Sequence, residues 1–107
     1  MKINTFDPGK NKKVLVGEYN EKEQLFIKEV DDSHFMRKEC GYGIQEDVLQ
    51  KLKSLKCENI KIVMENKKSW IIPLNLWLEL EIKNYGNGEQ RFMKLSNFKE
   101  VKQTMLF

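Results

Sequence analysis

The sequence predicts an α+β fold: a single small domain in which two β-hairpins pack on one main amphipathic helix, with a short second helix. Three observations carry this. Two pairs of short β-branched and aromatic runs are each separated by a polar turn. One stretch, at about 44–56, repeats apolar residues at helical spacing. Hydrophobic residues make 40% of the 107-residue chain, and its 33% of charged residues are of mixed sign, a globular and not a disordered composition.

Taken in order, residues 1–12 hold Pro8, Gly9 and Lys10 with little periodicity, and read as a flexible arm or a weak first strand. Val14–Tyr19 and Leu25–Val30 read as strands around a turn at Asn20–Glu23, the first hairpin. Asp31, Asp32 and Ser33 end it, and 34–40 has no clear period. Gly41-Tyr42-Gly43 reads as a sharp turn into the main helix, since glycine tolerates positive φ. Ile44, Val48, Leu49, Leu52 and Leu55 then share one helical face. Glu46 and Asp47 open that helix and Lys51, Lys53 and Lys56 close it, the order its dipole favours.

Ile60–Glu65 and Trp70–Ile72, around a turn at Asn66–Ser69, make the second hairpin. Leu74, Leu76, Leu78, Leu80 and Ile82 alternate like a strand. Pro73, however, suits a helix start, and Leu74, Trp77, Leu78 and Glu81 form a helical stripe, so a short helix is expected at about 74–81. Asn84–Gly88 is a turn, Arg91–Leu95 a last strand, and 96–107 a tail read as helical or frayed, with 100–107 a second flexible end. Nothing divides residues 1–107 into more than one domain.

Composition narrows the chemistry. The chain has no alanine, and Phe, Tyr, Met, Ile, Asn and Lys supply 48 of its residues, the mark of an A/T-rich gene. The 17 Lys against 2 Arg therefore partly reflect codon usage. A net charge of +3 and a pI of about 8.8 permit a nucleic-acid partner without requiring one. Cys40, Cys57 and the single His34 lack zinc-ligand spacing, so neither metal nor cofactor is expected. With no apolar run of membrane length and no signal peptide, the expectation is a soluble, cytoplasmic protein.

Catalytic constellations are thin. His34 could act as a base oriented by Asp31, Asp32 or Glu39, but no motif pairs it with Cys40. Glu65-Asn66-Lys67, with Glu46 or Asp47, imitates a metal-dependent nuclease only loosely, a spacing common in a Lys/Glu-rich chain. No phosphate-cradling glycine loop is present. Nucleic-acid contact uses these side chains more naturally. Lys67 and Lys68 crown a hairpin, Arg37 and Lys38 precede the helix, and Asn87, Gln90 and Arg91 lie in or after a turn. Lys10, Lys12 and Lys13 add to them. Trp70, Trp77, Phe92 and Phe98 could stack on bases, but their aliphatic neighbours favour core packing.

The succession Phe26-Ile27-Lys28, His34-Phe35-Met36-Arg37-Lys38, Ile44, Val48-Leu49, Leu52, an Ile-rich hairpin, Pro73-Leu74 and Asn84–Gln90 resembles small uncharacterised proteins of phages, plasmids and conjugative elements of Firmicutes-like bacteria. It spans about residues 14–95. The resemblance implies a mobile-element context and carries over no catalytic residue. The expected function is a non-enzymatic DNA-binding accessory protein, with Arg37, Lys38, Lys67, Lys68, Asn87, Gln90 and Arg91 as contacts. A homodimer is compatible with it, as many small DNA binders are dimeric. The alternatives are a protein-binding inhibitor of a bacterial defence system, of anti-CRISPR or anti-restriction type, and a small metal-dependent nuclease.

Overall fold

The structure is a computed structural model that describes residues 1–30, 41–65, 67–85, 88–95 and 98. Strands β1 (Lys2–Asp7), β2 (Lys12–Asn20), β3 (Leu25–Val30), β5 (Asn59–Met64) and β6 (Ser69–Pro73) form one sheet in the order β1-β2-β3-β5-β6. Strands β4 (Tyr42–Gln45), β7 (Ile82–Tyr85) and β8 (Gly88–Met93) form a second, in the order β4-β8-β7. Helices α1 (Glu46–Ser54) and α2 (Leu74–Leu78) each touch both sheets.

The α+β class and both expected hairpins are present, but two hairpins on one main helix is not the architecture. The hairpins β2–β3 and β5–β6 are fused into one sheet by parallel pairing of β3 with β5, from Leu25 opposite Asn59 to Val30 opposite Met64. That pairing satisfies a row of backbone groups on β3 that a free hairpin edge would leave to solvent. Of the two readings of residues 1–12, the strand is the one that forms: Lys2–Asp7 is edge strand β1, and the Met1 α-ammonium before it donates to the Tyr19 carbonyl at 3.0 Å. The helix begins two residues late, because Ile44 lies on β4 and is fully buried there. Gly41 (φ +80°) sets the backbone for β4 and not for a helix start, and a side chain there would run into the Met93 carbonyl. Beyond β4, the expected short second helix forms as α2, and Arg91 and Met93 lie on the expected last strand.

Residue alternation divides the large sheet. Its inner face presents Ile3, Tyr19, Phe26, Ile60, Ile62 and Ile72, all buried, and Val48, Leu49 and Leu52 of α1 join them in one core. Tyr42 stacks edge-on against the fully buried Trp77 at 6.4 Å, so both indoles, Trp70 included, belong to that core. Its outer face presents Leu15, Leu25, Ile27, Glu29, Lys61, Val63 and Ile71.

Two local departures stand out. Between Ile3 and Asn4 the β1–β2 register shifts by one residue, leaving Val16 as a bulge. Gly17 beside it has the Phe26 ring and the Ile27 carbonyl where a side chain would begin. Lys28 points inward beside Ile62 and uses the irregularity, its Nζ donating to the Val16 carbonyl at 3.3 Å. Burial holds the Lys28 ammonium below the ordinary lysine range. At the other end of α1, Cys57 N–H donates to Leu52 O and Lys56 N–H to Lys53 O, a Schellman closure with Lys56 at φ +66°.

Two substitutions follow. Lys56→Gly relieves the left-handed strain at an exposed site and should stabilise the fold by about 0.5–1 kcal/mol in chemical denaturation. Lys28→Met removes a desolvated charge and should raise stability by about 1 kcal/mol, seen as a Tm increase of about 4–8 °C. Because Lys28 is depressed, the unfolded chain binds more protons there. Its destabilising effect therefore fades as pH rises through the lowered value, and the variant's advantage should shrink in alkaline buffer.

Candidate nucleic-acid interface

Hairpin turns place the lysines. In β1–β2, Asp7 Oδ1 accepts from Gly9 N–H at 2.9 Å, and Lys10 N–H donates to the Asp7 carbonyl at 3.2 Å. Asp7, Pro8 and Gly9 are turn-forming residues for distinct reasons: a side-chain acceptor, a preset φ and a glycine. Asn11 closes the turn at φ +52°. Lys10 on it, and Lys12 and Lys13 at the start of β2, are exposed. In β5–β6, Lys67 N–H donates to Met64 O at 3.0 Å and Met64 N–H to Lys68 O at 2.8 Å, with Lys67 at φ +70°. Lys67 and Lys68 are exposed there.

Strand directions bring the two turns to one end of the sheet. β2 is antiparallel to β3, β3 parallel to β5, and β5 antiparallel to β6. The start of β2 and the end of β5 therefore point the same way. Two inter-strand steps separate β2 from β5, about 10 Å. Five lysines on or beside two turns thus edge one end of the sheet. A cleft of about 270 Å³ lies at that end, lined by Glu29, Val30, Val63, Met64, Glu65 and Lys67. Its two carboxylates oppose the surrounding cations and limit how deeply a phosphate can enter.

The other expected contacts fall elsewhere. Arg91 on β8 is turned inward. Its Nε and Nη2 donate to Glu46 Oε1 and Oε2 at 2.8 and 2.7 Å, and its Nη1 donates to the Leu78 and Leu80 carbonyls at 2.6 and 2.8 Å. All of these are charge-assisted bonds, and the two to Glu46 make a bidentate fork. Hydrogen bonding to Arg91 holds the Glu46 carboxyl below its usual range, and the same bond raises the guanidinium. Gln90 is buried on β8, opposite Gln45 on β4 and Lys83 on β7. Arg37, Lys38 and Asn87 lie outside the described residues, as do His34 and Cys40.

The nuclease-like carboxylates are dispersed in role. Glu65 sits in the β5–β6 turn, Glu46 is paired with Arg91, and Asp47 accepts from Thr5 Oγ1 at 2.7 and 2.9 Å. Thr5, Phe6, Pro8, Gln45, Glu46, Asp47, Gly88 and Glu89 line a separate acidic cleft of about 410 Å³. Among the described residues, no three His, Cys, Asp or Glu side chains gather as a metal set, and no helix is long and apolar enough to cross a membrane. The Cys57 thiol is buried, lies 3.2 Å from the Asn59 carbonyl, and is pushed up by desolvation.

The Glu46–Arg91 pair was invisible in the chain as an interaction, although Glu46 stood out as a first-turn acid. The Lys10–Lys13 turn had a signal in Asp7-Pro8-Gly9. No family model, no curated protein and no solved structure matches the chain.

The inward geometry of Arg91 makes a stability prediction. Glu46 and Arg91 side chains are only 18% and 13% exposed. Arg91→Ala would strand Glu46 and free the Leu78 and Leu80 carbonyls, and should cost about 3 kcal/mol in urea unfolding. Arg91→Lys recovers little of it, because one ammonium cannot reproduce the fork. Since the Glu46 carboxyl is lowered from 4.5, its contribution is complete above that pH and is lost as pH falls through the folded value. Arg91→Ala should therefore flatten the acid limb of the stability–pH curve.

Proposed function

We propose that this chain is a non-enzymatic DNA-binding accessory protein of a mobile genetic element, gripping the phosphate backbone with the lysine-bearing end of its large sheet. The observation that supports this is the common direction of the β1–β2 and β5–β6 turns, which gathers Lys10, Lys12, Lys13, Lys67 and Lys68 at one end. Two turns about 10 Å or more apart can follow adjacent phosphates as ribbons or wings do, each contact displacing a counterion. Gln90 and Arg91 drop out of the contact set, since one is buried and the other braces the fold. Lysines contacting phosphate carry no base readout, so the reading is of positioning more than of sequence selection.

Fluorescence anisotropy with labelled duplex DNA tests this. Five phosphate contacts give a log–log salt slope on the order of −5. Lys67→Gln with Lys68→Gln should flatten that slope by about 2 and weaken binding about tenfold or more at low salt, and Lys12→Gln with Lys13→Gln should do the same. Lys51→Gln with Lys53→Gln, near the end of α1 that meets Tyr19 through its hydroxyl's bond to Leu55 O, lies at the opposite end and should change neither. Equal losses from all three pairs, or no salt-sensitive binding at all, reject the reading. The second result would turn attention to the exposed apolar outer face, which favours a protein partner.

A further inference from the structure

From the hydrogen-bond phase of β1 we infer that its free edge docks an extended basic peptide segment of a partner protein, which adds a strand to the large sheet. β1 comes first in the strand order, so one of its edges is unpaired. The phase is set at its start. The Met1 α-ammonium donates to the Tyr19 carbonyl at 3.0 Å and Tyr19 N–H donates to the Met1 carbonyl at 2.8 Å, so the two residues exchange both bonds. Such pairs alternate along an antiparallel strand. Ile3 and Thr5 therefore bond to β2, and the bulge leaves this unchanged, because its extra residue, Val16, lies on β2. Lys2, Asn4 and Phe6 then point their N–H and C=O groups away from β2. Among the described residues none bonds them there, and all three are exposed.

A row of free donors and acceptors is the template that an added strand completes. β6, at the opposite edge, is shorter and carries Pro73, a residue that guards an edge. β1 has no proline within Lys2–Asp7.

The acidic cleft of about 410 Å³ identifies the chemistry of the occupant. Thr5 and Phe6 both line it. They are neighbours on opposite faces of β1, one buried and one exposed, so a cleft that touches both lies against the strand's edge. Its other wall carries Glu46 and Asp47 of α1 and Glu89 of β8. Glu46 is already paired with Arg91. Asp47 accepts from neutral groups, the Thr5 hydroxyl and Val48 N–H, so its charge is not offset, and Glu89 is exposed. Two carboxylates beside an open strand edge fit a lysine or arginine side chain, with the Phe6 ring, 51% exposed, as its flank. Lys12 and Lys13 sit opposite Asp7 and Phe6 on β2, one strand behind the edge, and Lys10 lies in the turn beyond. Lys2 is at the other end of the edge, which places the peptide's basic residue at the Phe6 end. The same carboxylates repel phosphate, so this edge is not a second DNA contact. One added strand buries less than a globular interface does, and the complex is transient.

Amide hydrogen exchange followed by NMR, with a synthetic peptide and no nucleic acid, decides it. The probe is the end-blocked peptide Thr-Val-Arg-Val-Arg-Val-Thr, whose β-branched residues favour an extended chain. Its control has Glu in place of each Arg. In the free chain, Asn4 and Phe6 amides should exchange much faster than those of Ile3 and Thr5. At a free Arg-peptide concentration of about ten times Kd, Asn4 and Phe6 should slow about tenfold. Asn4→Pro removes an outward N–H and no β1–β2 bond, and should abolish this protection with an unchanged circular dichroism spectrum. Asp47→Asn with Glu89→Gln leaves Thr5 an acceptor, and should erase the preference for the Arg peptide over the Glu peptide even if the proline variant does not fold. Binding that protects neither Asn4 nor Phe6, or Asn4 and Phe6 amides as slow as Ile3 in the free chain, overturns the inference. So does equal affinity for the two peptides, or no binding of either at millimolar concentration. The lysine turns are untouched throughout, so none of these outcomes bears on the DNA reading.

Discussion

One guanidinium joins the parts of this fold that the sheets do not. Arg91 reaches from β8 to the first residue of α1, to the Leu78 carbonyl that ends α2 and to the Leu80 carbonyl just beyond it. The last carbonyls of a helix have no partner within it, and α2 is a single turn with no basic residue of its own to satisfy them. The first turn of α1 carries an acid that would otherwise face a low-dielectric surround. Arg91 answers both needs at once, and no other side-chain type has a fork wide enough. The short α1, the short α2 and the three-stranded sheet are individually too small to be stable. Their shared cation makes them one body.

The second constraint is the parallel pairing of β3 with β5. It converts two hairpins, each marginal alone, into a continuous sheet with β1 and β6 at its edges. A parallel pair needs a crossover, and the chain between β3 and β5 supplies β4 and α1. The inner face is thereby covered by the crossover's own helix, which buries Val48, Leu49 and Leu52 on it. No helix is left for the outer face within the described residues. The same pairing fixes that the lysine turns share one end of the sheet, so the proposed function rests on it.

The chain alone determined the β2–β3 and β5–β6 hairpins and, to within a few residues, the two helices, because period, turn chemistry and dipole-matched charges act over a few residues and are printed locally. Phe26, Val48, Leu52, Ile60, Ile62 and Trp77 are readable as core from apolar spacing alone. What it could not determine was pairing. A strand's hydrogen bonds go to whichever edge tertiary packing brings near, so nothing in residues 25–30 announces residues 59–64 as their partner. Ile44 fits a helical stripe as well as a strand, and the Met93 and Arg91 side of β8 decided for the strand. Arg91 has the composition of a phosphate contact in any sequence; only its neighbours in space made it a brace. Lys67 and Lys68 were legible as exposed because a hairpin tip has nothing above it. Their company with Lys10, Lys12 and Lys13 was decided by strand direction, a property of the sheet and not of any segment within it.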